Sequence, residues 1–191
     1  VTVTDGGLSA SQPITVTINN LNDNSPVITS QATFSADENQ TAIATLTATD
    51  ADGDSPTFSV SGTELTVTSG GVLTFASEPD YETKTSYTAT VTANDGANST
   101  TQSITVSVNN LNDNAPVITS SATFSRVEGC ASGETANCWA LGAVTASDAD
   151  GDLMTYAVVT PNPGATGYNL LIDQSSGVLV LKFPADYETK K

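Results

Sequence analysis

The chain has 191 residues, with 21 acidic side chains against 5 basic ones, a formal net charge of −16 and no His. So acidic a surface repels nucleic acid and anionic membranes, which are bound through Lys and Arg; cations suit it, since carboxylates gathered on folding need counter-charge. With no His and no Ser beside a base, acyl and phosphoryl transfer lack their parts, and no apolar run nears the ~20 residues that span a bilayer. The chain therefore reads as a non-enzyme without a membrane span. Val1 opens no signal-peptide pattern, and both ends read as cuts through a longer polypeptide.

From the beginning of the chain the pattern is all-β. Residues 1–24 (VTVTDGGLSASQPITVTINNLNDN) predict two strands around a DGG turn, followed by a linker. They align without a gap onto residues 91–114, an offset of 90. The same offset carries 21–35 onto 111–125, DADGD at 50–54 recurs at 148–152, and DYETK at 80–84 recurs at 186–190. The last two offsets are 98 and 106, so the second copy has gained eight residues twice. One gain holds a Cys pair between Glu128 and Val144; the other lies around PNPGATGYN at 161–169. Such a period marks an array of like domains rather than solenoid turns. The paired glycosidase carboxylates that acidic motifs could supply would form one cleft, whereas these recur in every copy.

Within one period, TAIATLTATD (41–50), SYTATVTAND (86–95) and QSITVSVNN (102–110) alternate apolar residues with Thr or Ser, as half-buried strands do. Turn signals (DGD, SGG, NDG, NDN) punctuate them, and roughly seven short strands per copy predict a two-sheet sandwich. Phe34, Phe124, Phe58 and Tyr156 fall at strand positions and are expected in the core, while Glu64, Glu78 and Glu134 match no motif and are expected to be solvated. Pro26 and Pro116 follow each NDN and bar it from a central strand. The predicted organisation is 1–24, the last two strands and linker of a preceding repeat; 25–114, a complete repeat; and 115–191, the first strands of a second. Cys130 and Cys138 lack the further Cys or His that zinc needs, so they read as a local disulfide formed in an oxidising compartment. Trp139, beside that loop, reads as core or loop cover, with a binding anchor as the alternative. Asn39-Gln-Thr and Asn98-Ser-Thr are glycosylation sequons in a host with that machinery.

The carboxylates are clustered, not scattered: Glu38, DAD at 50–52, Asp80 and Glu82, Asp95, and NDN at 22–24 and 112–114. Ca²⁺ takes six to eight oxygen ligands, and alternating Asp or Asn spacings let neighbouring side chains converge on one ion. DADGD opens like an EF-hand, but position 12 from Asp50 is Ser61 and closes no such loop. DGD and NDN are also ordinary turn sequences. Their recurrence as an ordered set is what favours calcium.

That set (xEx early, DxD, DYE, a late A-x-D-G turn and an N-x-N-D-N-x-P linker) resembles the cadherin repeat across the whole chain. The resemblance implies tandem seven-stranded Greek-key sandwiches, cadherin- or immunoglobulin-like, with Ca²⁺ bound at the linkers. It assigns Glu38, Asp80, Glu82, Asn112, Asp113, Asn114, Asp148 and Asp150 to the junction inside this chain. Asn22, Asp23, Asn24, Asp50, Asp52 and Asp95 go to the upstream junction. Asp5 and, in the second copy, Glu128, Asp186 and Glu188 hold the equivalent motif positions. Two departures stand out: Asn20 and Asn110 occupy the linker's usual Asp position, and the additional Asp54 and Asp152 resemble bacterial cadherin-like repeats more than animal ones.

The implied function is a calcium-rigidified structural or adhesive protein at the cell surface or outside the cell. Its partners would be neighbouring repeats. Residues 1–24 supply the strands that 115–191 lacks, so strand donation between identical chains could build a head-to-tail fibre, with Asp5 joining Asp148 and Asp150; arbitrary cuts through an array explain the same ends. The alternative function is a calcium-dependent glycan- or protein-binding module. Aromatic residues are only 6% of the chain and mostly fall at core positions, which favours the scaffold.

Overall fold

A computed structural model describes residues 1–125, 140–159 and 170–181. Cys130, Cys138, Trp139, Glu128, Glu134, Asp186 and Glu188 lie outside the described residues. The chain divides into two compact units, Val1–Asn109 and Asn110–Lys191. Their described elements are all strands, and among the described residues no helix is long and apolar enough to cross a membrane.

The first unit opens with a hairpin, β1 (Thr2–Thr4) against β2 (Ser9–Ser11). Its sandwich follows: β3 (Val27–Ile28), β4 (Thr33–Asp37), β5 (Ala42–Thr45), β6 (Ala48–Thr49), β7 (Thr57–Val60), β8 (Leu65–Val67), β9 (Val72–Phe75), β10 (Ser86–Asn94) and β11 (Ser99–Asn109). One sheet runs β4-β11-β10-β7 and the other β5-β9-β8, with β3-β6 a short separate pair. β4 lies parallel to β11, Phe34 opposite Val106, while the other pairs are antiparallel. An early strand thus returns beside the last.

Alternation builds this core. In β11, Ile104, Val106 and Val108 are buried while Ser103, Thr105 and Ser107 face outward. In β10, Val91 and Ala93 are buried, and Val91 clusters with β4's Ala36 and with Leu46, Leu65, Leu73 and Phe75. Phe34 and Phe58 pack against the cluster as their positions predict, and Phe75 meets Tyr87 edge-on at 5.0 Å. Lys84 lies over the Tyr87 ring and pairs with Glu64. Glu64 is exposed, as its position outside the motifs predicts, and its ion pair with Lys84 lies at the surface.

Residues 41–50 form two strands where the alternation predicts one. The break at Leu46 and Thr47 changes partners: Leu46 N–H donates to Gly71 O at 2.7 Å, and Thr47 N–H to Ser30 Oγ at 2.6 Å. The chain thereby passes from β9 to β3. Gly71 makes this possible, with φ +91°; a Cβ there would sit 2.5 Å from Leu46 O and 3.2 Å from the Phe58 ring.

The second unit repeats the pattern. β12 (Val117–Ile118) pairs with β14 (Ala146–Ser147) as β3 does with β6, and β13 (Ala140–Ala143), β15 (Leu170–Ile172) and β16 (Val178–Leu181) form a sheet ordered β13-β16-β15. Val144 N–H donates to Gly177 O at 2.9 Å, matching the Leu46–Gly71 bond. Phe124 and Tyr156 are half-buried, and Leu179 is buried.

Candidate metal centre

Asp50, Asp52 and Asp54 place one carboxylate oxygen each within 4.8 Å of one another. The local sequence explains why. Asp50 Oδ1 accepts the Asp52 N–H at 2.8 Å, an Asx turn, and Gly53 takes φ +86° to bring Asp54 round. The preceding linker docks on this loop: Asp52 Oδ2 accepts the N–H groups of Asp23 and Asn24 at 3.1 and 2.8 Å. Asn24 Nδ2 donates to Asp52 Oδ1 at 2.8 Å and to Asp23 Oδ1 at 3.1 Å. These bonds, led by the Asn24 N–H, hold the Asp52 pKa below its ordinary value.

The third contributor is the β10–β11 turn. Asp95 Oδ1 accepts the N–H groups of Ala97 and Asn98, both at 2.7 Å, and the Asn98 bond chiefly lowers its pKa. Asn22 Nδ2 donates to Asp95 O at 3.4 Å, and Asn98 Nδ2 donates to Asn22 Oδ1 and Asn24 O at 3.4 and 3.2 Å. Asn22, Asp23, Asn24, Asp50, Asp52 and Asp95 are thus brought together at one end of the sandwich. Asn98, read from sequence only as a sequon residue, joins them, and its spacing alone carried no sign of that role. The Oδ2 atoms of Asp50 and Asp95 are both shielded from solvent and lack a hydrogen-bond partner. A buried carboxylate oxygen with no donor is costly unless a cation meets it. Carboxylates and amide oxygens with no thiol or imidazole are the donor set of a hard cation, so the residues fit Ca²⁺.

The second unit carries the same arrangement. Asp148, Asp150 and Asp152 converge within 4.8 Å, and Asp148 Oδ1 accepts the Asp150 and Asp152 N–H groups at 3.1 and 3.4 Å. Asp150 Oδ2 accepts the Asn114 N–H at 2.8 Å, and Asp150 Oδ1 accepts Asn114 Nδ2 at 2.9 Å. Asp113 Oδ1 also accepts Asn114 Nδ2, at 2.7 Å, while Asn112 is exposed.

At the opposite end of the first sandwich, Glu38 is buried at 2% exposure, and its Oε2 accepts the Tyr81 N–H at 2.7 Å. An oxygen of Glu38 and one of Glu82 lie within 4.8 Å. Asp80 is engaged in a turn: Oδ1 accepts the Thr83 N–H at 3.0 Å and Oδ2 the Thr83 hydroxyl at 2.9 Å. Asp5 repeats Asp95, with Oδ1 accepting Gly7 and Leu8 N–H at 3.1 and 2.9 Å; the Leu8 bond chiefly lowers its pKa.

A family model described as a bacterial Ig domain matches residues 22–109. The human cadherin EGF LAG seven-pass G-type receptor 1 is 30% identical over 96% of this chain, which spans 6% of that protein; the mouse receptor 2 is 33% identical over 60% of this chain and 4% of its own length. Human protocadherin-24 EC1-2 superposes with a TM-score of 0.69 at 23% identity, covering 90% of this chain and 82% of that one. Mouse cadherin-23 EC22-24 gives 0.67 at 21%, covering 88% and 57%. The repeats of this chain have a cadherin-like fold. The chain spans only a few per cent of the curated relatives' length, and the structural likeness establishes the fold alone.

Proposed function

We propose that this chain is part of an extracellular or cell-surface array of cadherin-like repeats, made stiff by Ca²⁺ where one sandwich hands over to the next, and serving adhesion or support without catalysis. The observation that carries this reading is the pair of shielded, unpartnered carboxylate oxygens on Asp50 and Asp95, beside a triad of aspartates that is repeated in the second unit. One junction would use Asn22, Asp23, Asn24, Asp50, Asp52 and Asp95. The next would use Glu38, Asp80, Glu82, Asn112, Asp113, Asn114, Asp148 and Asp150, with Glu128, Asp186 and Glu188 serving a further one. Carboxylates facing one another repel; a shared divalent ion replaces that repulsion with bonds and so stiffens the linker. Affinities of extracellular modules are on the order of 10⁻⁴–10⁻³ M, suited to millimolar calcium outside cells. The absence of His from the sequence supports a role without acyl or phosphoryl chemistry.

Isothermal titration of the chelated chain with calcium tests this. Saturable binding that weakens in Asp50→Asn and Asp95→Asn is expected; no binding up to several times that range would overturn it.

The chain from Val3 to Ile18 favours a second element. Val3, Ile14, Val16 and Ile18 are 69%, 63%, 82% and 92% exposed, whereas their repeat equivalents Ala93, Ile104, Val106 and Val108 are 0–5% exposed. This apolar stripe needs the rest of a sandwich. Donation to a neighbouring chain would cover it and propagate a head-to-tail fibre, bringing Asp5 towards Asp148 and Asp150 of that neighbour. Sedimentation should then show concentration-dependent association that Val16→Asp abolishes; a monomer at all concentrations would count against donation.

A further inference from the structure

Both linkers begin with two asparagines, and in each the second one bonds forward. Asn20 Nδ2 donates to Asp52 O at 2.7 Å; Asn110 Nδ2 donates to Asp150 O at 2.8 Å. Donor and acceptor are 32 residues apart in the first case and 40 in the second. The eight-residue insertion lies between them in the second copy, yet the bond is kept. Asn24 and Asn114 reinforce it with the same backbone and side-chain bonds to the Asp52 and Asp150 carboxylates. Every group in this set is protein, and each acceptor is met by an amide donor.

The first asparagine of the second linker faces the other way. Asn109 ends β11, and its Nδ2 donates to Asp37 Oδ1 at 2.9 Å, inside the first sandwich. The division between compact units falls between Asn109 and Asn110.

We propose that Asn20 and Asn110 are latch residues that fix each linker to the sandwich after it without any metal. The choice of Asn over Asp is what makes the latch: a carboxylate at position 20 or 110 has no N–H to give and would face the Asp52 or Asp150 carbonyl with like polarity. It would also add charge beside three aspartates. The latch does not rest on the calcium reading.

Amide hydrogen exchange of the full chain in excess chelator tests this, read at residues 23, 24 and 114, with calcium titration calorimetry in parallel. The wild type should keep roughly tenfold or greater protection at these amides without metal. Asn20→Asp should lose that protection at 23 and 24, and Asn110→Asp at 114, while β10 and β11 stay protected in both variants, which reports that they fold. Asn20→Ala and Asn110→Ala, which remove the donor without adding charge, should lose part of it. Linker amides exchanging at free-chain rates in the chelated wild type would overturn the latch, as would equal protection in wild type and variants. Protected amides together with no calorimetric calcium binding would leave the latch standing and remove the calcium reading.

Discussion

At the residue scale, several motif aspartates serve the local chain through hydrogen bonds of their own. Asp95 closes a hairpin turn, Asp80 caps Thr83, and Asp52 receives the linker. The ordinary turn reading and the metal reading are therefore compatible, which is why spacing alone left both open. The lowered pKa values set a direction for acid. Asp52 and Asp95 are held below their ordinary value by backbone N–H donors, and Asp173 falls to about 2 through the Ser176 and Ser175 hydroxyls and N–H groups. A depressed carboxylate contributes stability above its unfolded value of 3.8, and that contribution disappears as the pH falls through the folded value. Melting temperature in chelator should drop progressively below about pH 4, and the difference between wild type and Asp52→Asn should shrink over the same range. A difference that is constant with pH would contradict the assignment. Glu38 gives a second prediction: Glu38→Ala strands the Tyr81 N–H in a buried setting and should cost roughly 1–3 kcal/mol in chemical denaturation.

Elements were legible wherever burial follows a period of two. β10 and β11 lie where Val91, Ala93, Ile104, Val106 and Val108 predict them. The break between β5 and β6 was not legible, because it depends on Ser30 and Gly71, neither near in sequence. Asn98 escaped notice for the same reason: its partners Asn22 and Asn24 are more than seventy residues away. The latch asparagines stood out in the sequence as departures from the cadherin pattern, but only their geometry reveals them as donors. Gly71→Ala tests the strand switch: positive φ and the clash with Leu46 O should lower stability by roughly 2–3 kcal/mol, read as a shifted denaturation midpoint. Gly62→Ala also sits at positive φ, but in open space. It should cost less.

At the scale of the whole molecule, the acidity has a mechanical consequence. A chain with net charge −16 concentrates its carboxylates at the ends of its sandwiches, so its self-repulsion acts where repeats join. On the proposed function, divalent ions would act as a switch on stiffness, with a stabilisation per site that grows as RT ln(1 + [L]/Kd) and accumulates along an array. Small-angle scattering of the chain, taken from excess chelator into millimolar calcium, tests this most directly. The account predicts a narrowing of the distance distribution to that of an extended, stiff pair of repeats, with its midpoint at the calorimetric affinity. Superimposable curves at every calcium concentration would contradict it.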